Sequence, residues 1–212
     1  MPPPERIDTA TVIARAVSIV DRDGVDALSF RRLAGECGVT AMALYRHVRD
    51  KDELLDRVVE QVLGEFVIGP PATGRWREQL TEFFLQARRM FLDHPGIAAI
   101  CMQRPTPVTA VGQIYERVLE GLTQGGITGQ DAVYAFDTLL MFMFGSVLWE
   151  LPRSELERER LLRLALAEPA DTPQLIAHAT ELAHRNAADY YEQGLATILD
   201  GLETRRDATR QP

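Results

Sequence analysis

Residues 30–48 read FRRLAGECGVTAMALYRHV, and this stretch decides the fold. It consists of two short segments with apolar patterning, Phe30–Glu36 and Ala41–His47, separated by a turn that contains Gly38. Two short helices that cross steeply need a small residue where they touch, which Ala34 supplies, and a glycine where the turn favours a positive φ. The spacing therefore predicts a helix-turn-helix.

The side chains of this motif divide between an inner and an outer face. Leu33, Cys37, Val39 and Leu44 are predicted to face inward and pack on a preceding helix. The outer face carries small and hydrogen-bonding side chains, which suit the edges of bases in a DNA major groove. Its members are Thr40, Ala41, Met42, Ala43, Tyr45 and His47. We predict DNA binding through this face, and a generic helical hairpin is the alternative interpretation.

The charge distribution supports DNA binding although the whole chain is acidic. The formal net charge is −8, yet residues 28–51 hold five basic residues against two acidic ones. Because screening acts over about 8–10 Å, a distant acidic body does not prevent a local basic patch from contacting phosphates.

Helical patterns continue along the chain, and alternating strand patterns bounded by hairpin turns are absent. Asp8, Ser29 and Asp50 are predicted helix N-caps. Residues 69–74 contain two prolines and two glycines and cannot continue a helix, so the predicted domains are 1–66 and 67–212. The predicted fold class is all-α, with a three-helix helix-turn-helix N-terminal domain followed by a helical-bundle domain for ligand binding and dimerisation.

Within the second domain, the most apolar helix is predicted over residues 131–150. Its richest apolar stretch, Thr138–Trp149, is shorter than the roughly 20 residues that a bilayer requires, so we interpret it as a buried helix. The charged residues 153–163 are predicted to form a solvated helix or loop. One or two final helices are expected over residues 173–202, followed by a frayed end from Thr204.

Several classes of function are not expected. No Ser/His/Asp, Cys/His or metal-ligand constellation is recognisable around His94, His178 or His184, so we expect no enzyme, no metal and no cofactor. Cys37 and Cys101 lack metal-ligand spacing, which is typical of reduced thiols in the cytoplasm. The first residues show no apolar run behind their charges, so no signal peptide and no membrane partner are expected, and the predicted localisation is cytoplasmic.

Residues 7–66 resemble the DNA-binding domain of the tetracycline-repressor family. The resemblance rests on Ser29–Ala34, Gly38–Val39, Leu44–Val48 and Lys51–Leu55. It implies an all-helical homodimer that binds a palindromic double-stranded operator and is released when an effector binds the second domain. The predicted function is a transcriptional repressor, with an architectural or effector-independent DNA-binding dimer as the alternative.

The resemblance also implies roles for individual residues. Arg31 matches the family's base-reading arginine and Ser29 a phosphate-contacting cap. Tyr45, His47 and Lys51 match residues that contact phosphates. Three alternatives stay open: Tyr45 capping the core of the small domain, His47 as an exposed residue at a helix end, and Lys51 as a solvated lysine in the first turn of its helix.

The base-selecting positions of the family are occupied here by Ala41, Met42 and Ala43. Their apolar side chains favour contact with thymine methyl groups over bidentate hydrogen bonds.

The C-terminal part resembles, more weakly, the effector domain of the tetracycline-repressor subclass, through His94–Gly96, Arg104–Thr106 and Phe144–Glu150. The metal-holding histidine expected before the Arg-Pro pair is missing, and Ile100–Met102 stands there. Phe83 occupies the position of an expected asparagine. These departures argue against a magnesium–tetracycline effector. They favour a more hydrophobic, metal-free ligand or a pocket that is filled by side chains.

We predict a pocket for a hydrophobic or aromatic effector, with Gln103, Arg104 and Tyr115 as its few polar groups. Plain core packing is the alternative for the apolar members, and support of a helix end is the alternative for Arg104. The predicted ligand-binding residues are Phe66, Phe83, Phe84, Met102, Gln103, Arg104, Tyr115, Met141 and Phe142.

A homodimer is predicted through the helices near 131–150 and 187–203. The first is apolar nearly all round, so one domain alone would not cover it. Gly145, Ser146 and Gly194 permit close helix approach, and two copies of the helix pair would make a four-helix bundle.

Overall fold

The computed structural model confirms the all-α class: within the part of the chain that it describes, the regular elements are helices and no strand occurs. The described residues are 7–66, 75–150, 172–183 and 186–210. Three features of the sequence lie outside them: the predicted linker 69–74, the charged stretch 153–163 and His184.

The α-helices of the described residues follow one another along the chain. They are α1 Thr9–Asp23, α2 Phe30–Cys37, α3 Ala41–Leu44, α4 Lys51–Glu65, α5 Trp76–Asp93, α6 Pro95–Gln103, α7 Val108–Gln124, α8 Gly129–Glu150, α9 Pro173–Ala177, α10 Ala179–Ala183 and α11 Ala187–Arg210. A single 3-10 turn, Val25–Ala27, lies between α1 and α2.

The predicted N-caps are confirmed. The Asp8 carboxylate accepts a hydrogen bond from the Thr11 amide at 2.7 Å, and the Asp50 carboxylate accepts one from the Glu53 amide at 2.8 Å. The Ser29 hydroxyl accepts one from the third amide of α2 at 3.3 Å. Each cap accepts a hydrogen bond from an amide that has no partner within its helix. Because this interaction spans only three residues, the helix starts can be predicted from local sequence.

Two predicted helix ends are wrong. The third helix ends at Leu44 and not at His47, because the last turn tightens: the His47 amide donates to the Leu44 carbonyl at 2.8 Å, an i→i+3 bond. The chain end from Thr204 is not frayed, since α11 continues to Arg210. There the Arg206 guanidinium donates to the Gly125 carbonyl at 3.2 Å and holds the last turns in place.

The described chain forms two compact units, residues 1–72 with 89–120 and residues 73–88 with 121–212. In the first, α1 packs against α2, α4 and α6, and α4 also packs against α6. Its core is mostly aliphatic, and Ile19, Leu33 and Leu44 are wholly buried in it.

In the second unit, α8 packs against α11. Trp76, at the start of α5, is held against Gly125, where a Cβ atom would lie only 2.6 Å from the indole ring. Arg77 pairs with Asp200 at 2.6 Å and Glu203 at 3.0 Å on α11. An aromatic contact and two ion pairs therefore fasten the first turn of α5 inside this unit.

Helix α8 is longer than its apolar stretch suggests. It has 22 residues, and its length and mean hydropathy of 1.6 are enough to cross a membrane. The prediction concerned only the apolar stretch Thr138–Trp149, and the helix that contains it begins earlier, at Gly129. A third of the apolar window is buried (33%), and core helices of soluble proteins meet the same criterion, so the helix alone is weak evidence of a membrane span.

Candidate nucleic-acid interface

Helix α3 presents an exposed face. The Thr40 hydroxyl caps it by accepting from the Ala43 amide at 3.3 Å, and Leu44 anchors it as its buried side chain. On the outer side, Met42 is 77% exposed and Tyr45, at the end of the helix, is 54% exposed. The helix is therefore supported from behind and open to solvent in front, as reading bases in a groove requires.

The turn between α2 and α3 has the predicted conformation. Gly38 is left-handed, with φ of 66°, and caps α2. The Val39 amide donates to the Ala34 carbonyl at 3.0 Å, which closes the turn behind it. Because this conformation disfavours residues with a Cβ atom, Gly38 sets the direction in which α3 leaves α2.

Tyr45 is held by an aromatic contact and is only partly covered. Its ring stacks on Phe30 of α2, with the centroids 4.7 Å apart and the planes 13° from parallel. About half of the side chain nevertheless stays exposed. Stacking fixes the ring, and the exposed portion is free to meet a partner. Phe30 is thus a supporting residue that the pattern did not identify.

His47 lies half-buried just after α3. Its Nδ1 shares a hydrogen bond with the Thr9 hydroxyl at 2.9 Å, which ties the chain after α3 to the first turn of α1. The second ring nitrogen is not part of this bond. His47 is therefore held in place rather than simply solvated at a helix end.

None of the predicted DNA-binding residues is buried. Ala41, Ala43 and His47 are half-buried, and the remaining members are exposed: Ser29, Arg31, Thr40, Met42, Tyr45 and Lys51. The structure thus leaves this whole set accessible to a partner.

The basic residues of this region differ in whether they form ion pairs. Arg32 pairs with Asp23, and Arg49 pairs with Glu53 at 2.8 Å, so these charges are balanced internally. Within the described ranges no ion-pair partner is found for Arg31, Arg46 or Lys51, and all three are exposed. Arg46 was not among the predicted site residues, although it lies between two that were, Tyr45 and His47.

Glu53 is held ionised by its surroundings. Hydrogen bonds from the Arg49 side chain and from the Arg49 amide lower the pKa of its carboxyl from 4.5 to about 2. The Arg57 guanidinium adds a further bond at 3.0 Å. The hydrogen bonds from Arg49 and Arg57 to Glu53 stabilise the first turn of α4. Acidic groups in this turn also interact favourably with the helix dipole.

The start of α6 is docked closely on the end of α1. A Cβ atom at Gly96 would lie 2.5 Å from the Val20 carbonyl oxygen and 2.7 Å from its carbonyl carbon, so only glycine permits this approach. His94 Nδ1 shares a 2.7 Å hydrogen bond with an Asp21 carboxylate oxygen. Packing and a polar bond therefore join the two helices.

The end of α6 is tied to α4. Arg104 pairs with Asp56 at 3.0 Å and lies 3.5 Å from Asp52, and Nη1, the atom facing Asp52, is buried without a hydrogen bond. The longer separation is a charge contact and not a hydrogen bond. Of the two roles that the sequence left open for Arg104, support of a helix end is the one visible in the structure.

The predicted ligand residues are divided between the two units. Phe66, Met102, Gln103, Arg104 and Tyr115 belong to the first unit, and Phe83, Phe84, Met141 and Phe142 belong to the second. Their environments also differ.

Within the second unit, Phe84 is wholly buried and packs edge-on against Phe83, with the ring centroids 5.3 Å apart. Phe142 stacks on Tyr191 at 5.2 Å, whereas Met141 is largely exposed. In the first unit, Met102 and Tyr115 are exposed.

Sequence reasoning missed a polar cluster in the second unit. Arg88 of α5 is buried, its Nε donates to the Ser146 hydroxyl at 3.1 Å, and its Nη2 pairs with Glu150. Its guanidinium carbon lies 4.9 Å from the centroid of the Tyr191 ring. A signal existed, because Arg88 interrupts the apolar stripe of α5 four residues after Phe84.

A cleft of about 400 Å³ also lies in the second unit, between the start of α8 and the end of α11. Asp131, Tyr134 and Thr138 line one side, and Leu202 and Arg206 line the other. None of the predicted ligand residues contributes to its lining.

Comparison with known proteins identifies both parts of the chain. Residues 12–58 match the model of the bacterial regulatory proteins of the tetR family, and residues 69–206 match that of the tetracyclin repressor-like C-terminal domain. The tetracycline repressor protein class A from transposon 1721 of Escherichia coli is 34% identical over 211 residues, which is 97% of this chain and 94% of the relative.

Solved structures of similar proteins have the same fold. Apo ActR from Streptomyces coelicolor superposes with a TM-score of 0.83 at 33% identity, covering 96% of this chain and 98% of ActR. The complex of ActR with actinorhodin gives a TM-score of 0.81 at 32% identity, covering 94% of this chain and 98% of that one.

The two family models, over residues 12–58 and 69–206, together match most of the chain. Regulators of this kind bind operator DNA, form dimers and bind small-molecule effectors, and they are transcription factors rather than enzymes. They are generally cytoplasmic. The chain belongs to the tetracycline-repressor (TetR) family of transcriptional regulators.

Proposed function

We propose that this protein is a cytoplasmic repressor that binds a pseudopalindromic double-stranded operator as a homodimer and is released by a small hydrophobic or aromatic effector. The observation that carries the proposal is the exposed face of α3, with Met42 projecting into solvent and Leu44 buried behind it. The proposal includes no membrane partner, and its domain boundary is the predicted one, residues 1–66 and 67–212.

On the operator, Ala41, Met42 and Ala43 contact base edges and favour thymine methyl groups. Arg31 reads a base from the start of α2. The phosphate contacts come from Ser29, Thr40, Tyr45, His47 and Lys51, and we add the exposed Arg46. This distribution follows the general pattern in which phosphate contacts position a protein and base contacts specify its site.

The dimer forms through α8 and α11. Tyr134, Met141 and Leu148 are exposed on α8 at intervals of seven residues, which places them along one side of the helix. A partner that covers this stripe removes apolar surface from water. Two recognition helices then fit successive major grooves if they lie about 34–36 Å apart.

The effector acts through α6. This helix is joined to α1 by His94 and Gly96 and to α4 by Arg104, so its displacement disturbs two helices of the DNA-binding half. Displacement of α6 changes the spacing of the two recognition helices in the dimer and lowers operator affinity. The effector must bind the displaced state more tightly, since a ligand with equal affinity for both states shifts nothing.

The DNA contacts are tested with a duplex selected from a random library by repeated binding. Lys51→Ala is expected to weaken binding to all sequences and to lower the slope of log K against log salt by about two per dimer, one for each lost phosphate contact. Arg75→Ala removes an equal charge from an exposed site in the other unit and is the matched control. Equal slopes for both variants and the wild type would contradict the proposed interface.

Release is tested on the same duplex by a mobility-shift titration with a panel of aromatic compounds. We expect at least one compound to lower operator affinity. Specific operator binding that no compound alters would instead favour the effector-independent alternative.

A further inference from the structure

The His47 ring is held at one nitrogen and open at the other. Its Nδ1 lies 2.9 Å from the Thr9 hydroxyl oxygen. Among the described residues no hydrogen-bond partner is found for the second ring nitrogen, Nε2, and this atom keeps contact with solvent. Because the two nitrogens of an imidazole point away from each other, a ring tied to Thr9 through Nδ1 directs Nε2 towards a partner outside the chain.

The backbone fixes both residues of this bond. Asp8 caps α1 and makes Thr9 its first residue. The His47 amide donates to the Leu44 carbonyl at 2.8 Å, and the next side chain, Val48, is buried. The hydrogen bond therefore joins two anchored segments of chain and restricts rotation of the ring.

A neighbouring carboxylate does not occupy the ring. Asp8 accepts a hydrogen bond from the Thr11 amide at 2.7 Å. The pKa of the Asp8 carboxyl is lowered, chiefly by its hydrogen bonds with Thr11 and also by the charge of His47. The carboxylate thus lies near His47, but its bonding capacity serves the start of α1, and it forms no ion pair with the ring. The ring remains available to an external anion.

The chemistry of a phosphate contact explains why a hydroxyl suits this position. Phosphate oxygens in DNA accept hydrogen bonds, so Nε2 must carry a hydrogen to bind one. In a neutral imidazole only one nitrogen carries a hydrogen, so Nδ1 must then accept, and the Thr9 hydroxyl is able to donate to it. In a charged imidazolium both nitrogens donate, and the same hydroxyl accepts. Thr9 therefore supports a phosphate-binding His47 in either protonation state.

We propose that Thr9 is a positioning residue for operator binding: its hydroxyl holds the His47 ring so that Nε2–H donates to a phosphate of the DNA backbone. The inference rests on the proposed phosphate contact of His47. It adds to that contact a residue of α1, a helix to which the sequence assigned no part in DNA binding.

The test measures the affinity for the selected duplex by fluorescence anisotropy, under conditions in which urea denaturation shows every variant to be folded. Thr9→Val keeps the branched shape and removes the hydroxyl. We expect it to weaken binding about tenfold, because the dimer loses the hydrogen bond twice. Thr9→Ser restores a hydroxyl and is expected to bind like the wild type.

A double-mutant cycle shows whether Thr9 acts through His47. His47→Ala is expected to weaken binding at least as much as Thr9→Val does. The double variant T9V/H47A is then expected to bind no more weakly than H47A, since the hydroxyl has no ring left to position. Ser18→Ala is the matched control, because it removes an exposed hydroxyl of the same helix that donates only to the Ala14 carbonyl. We expect this control to keep the wild-type affinity.

The failures are distinguishable. Wild-type affinity of Thr9→Val beside a weakened His47→Ala protein would overturn the inference and leave the proposed His47 contact standing. Additive losses in the double variant, or a Thr9→Ser protein as weak as Thr9→Val, would also overturn it, because the effect would then not depend on the hydroxyl and the ring together. Wild-type affinity of His47→Ala would contradict the proposed phosphate contact itself, and the positioning role with it.

Discussion

Replacing Gly96 with alanine tests whether the docking of α6 on α1 controls operator binding. The new Cβ atom would lie 2.5 Å from the Val20 carbonyl oxygen and 2.7 Å from its carbonyl carbon, whereas ordinary contacts lie at 3.4–4 Å. The start of α6 must therefore retreat from α1 by about 0.7–0.9 Å, taking the 3.4 Å limit as the target. Backbone atoms form the obstacle, so a change of side-chain rotamer does not relieve the clash.

The expected cost follows from overpacking, which destabilises cores by about 1–3 kcal/mol. This strain applies only to the docked arrangement of α6. If the docked arrangement is the one that binds DNA, operator affinity without effector falls by the corresponding factor, from about 5-fold to about 150-fold, since 1.4 kcal/mol is a factor of ten.

Urea denaturation measures the stability, and fluorescence anisotropy with the selected duplex measures the affinity. Gly64→Ala is the matched control, because it also places alanine inside a helix but has no atom within 4 Å of the new Cβ. The control is expected to keep its affinity and to gain up to about 1 kcal/mol of stability. A destabilised Gly96→Ala protein with wild-type affinity would refute coupling through α6, and wild-type stability would refute the close packing itself.

Three further predictions concern the DNA-binding unit. Leu44→Ala removes the wholly buried anchor of α3 and is expected to cost about 2–5 kcal/mol in urea unfolding, and a cost below 1 kcal/mol would contradict its role as an anchor. Gly38→Ala forces a Cβ residue into the left-handed region at φ of 66° and should cost about 1–2 kcal/mol by the same measurement, with Gly35→Ala, in open space, as its control. Because the folded pKa of Glu53 is depressed to about 2, its contribution to stability is present above pH 4.5 and is lost as the pH falls from 4.5 towards 2. Glu53→Gln should therefore flatten the acid limb of a stability–pH profile, and an unchanged limb would show that Arg49 does not hold this carboxyl in solution.

The sequence predicted best what short-range chemistry determines. Asp8 and Asp50 cap their helices as expected, and Gly38 takes the left-handed conformation, because each interaction spans only a few residues. The all-α class followed from helical periodicity in the same way. The end of α3 was misjudged because an α-helix and a tightened final turn differ only in whether each amide donates to the carbonyl four or three residues earlier, and local sequence does not separate them.

The effector residues were harder to predict. Phenylalanine and methionine at helical spacing fit a pocket and a core equally well, and the fold alone separates the buried Phe84 from the exposed Met141. The burial of Arg88 was not predicted, because its partners Ser146 and Glu150 are about 60 positions away in the chain.

By itself, the sequence determined that this is a helical protein with a helix-turn-helix near its start, and that in α3 Met42 faces outward and Leu44 inward. These properties depend on hydrogen bonds and apolar spacing within one or two turns of chain. The tertiary structure alone decided that Gly96 meets Val20, that Arg104 pairs with Asp56, and that Arg88 is buried beside Tyr191. Those contacts join residues distant in sequence, and they form only where packing of the core brings particular helix faces together.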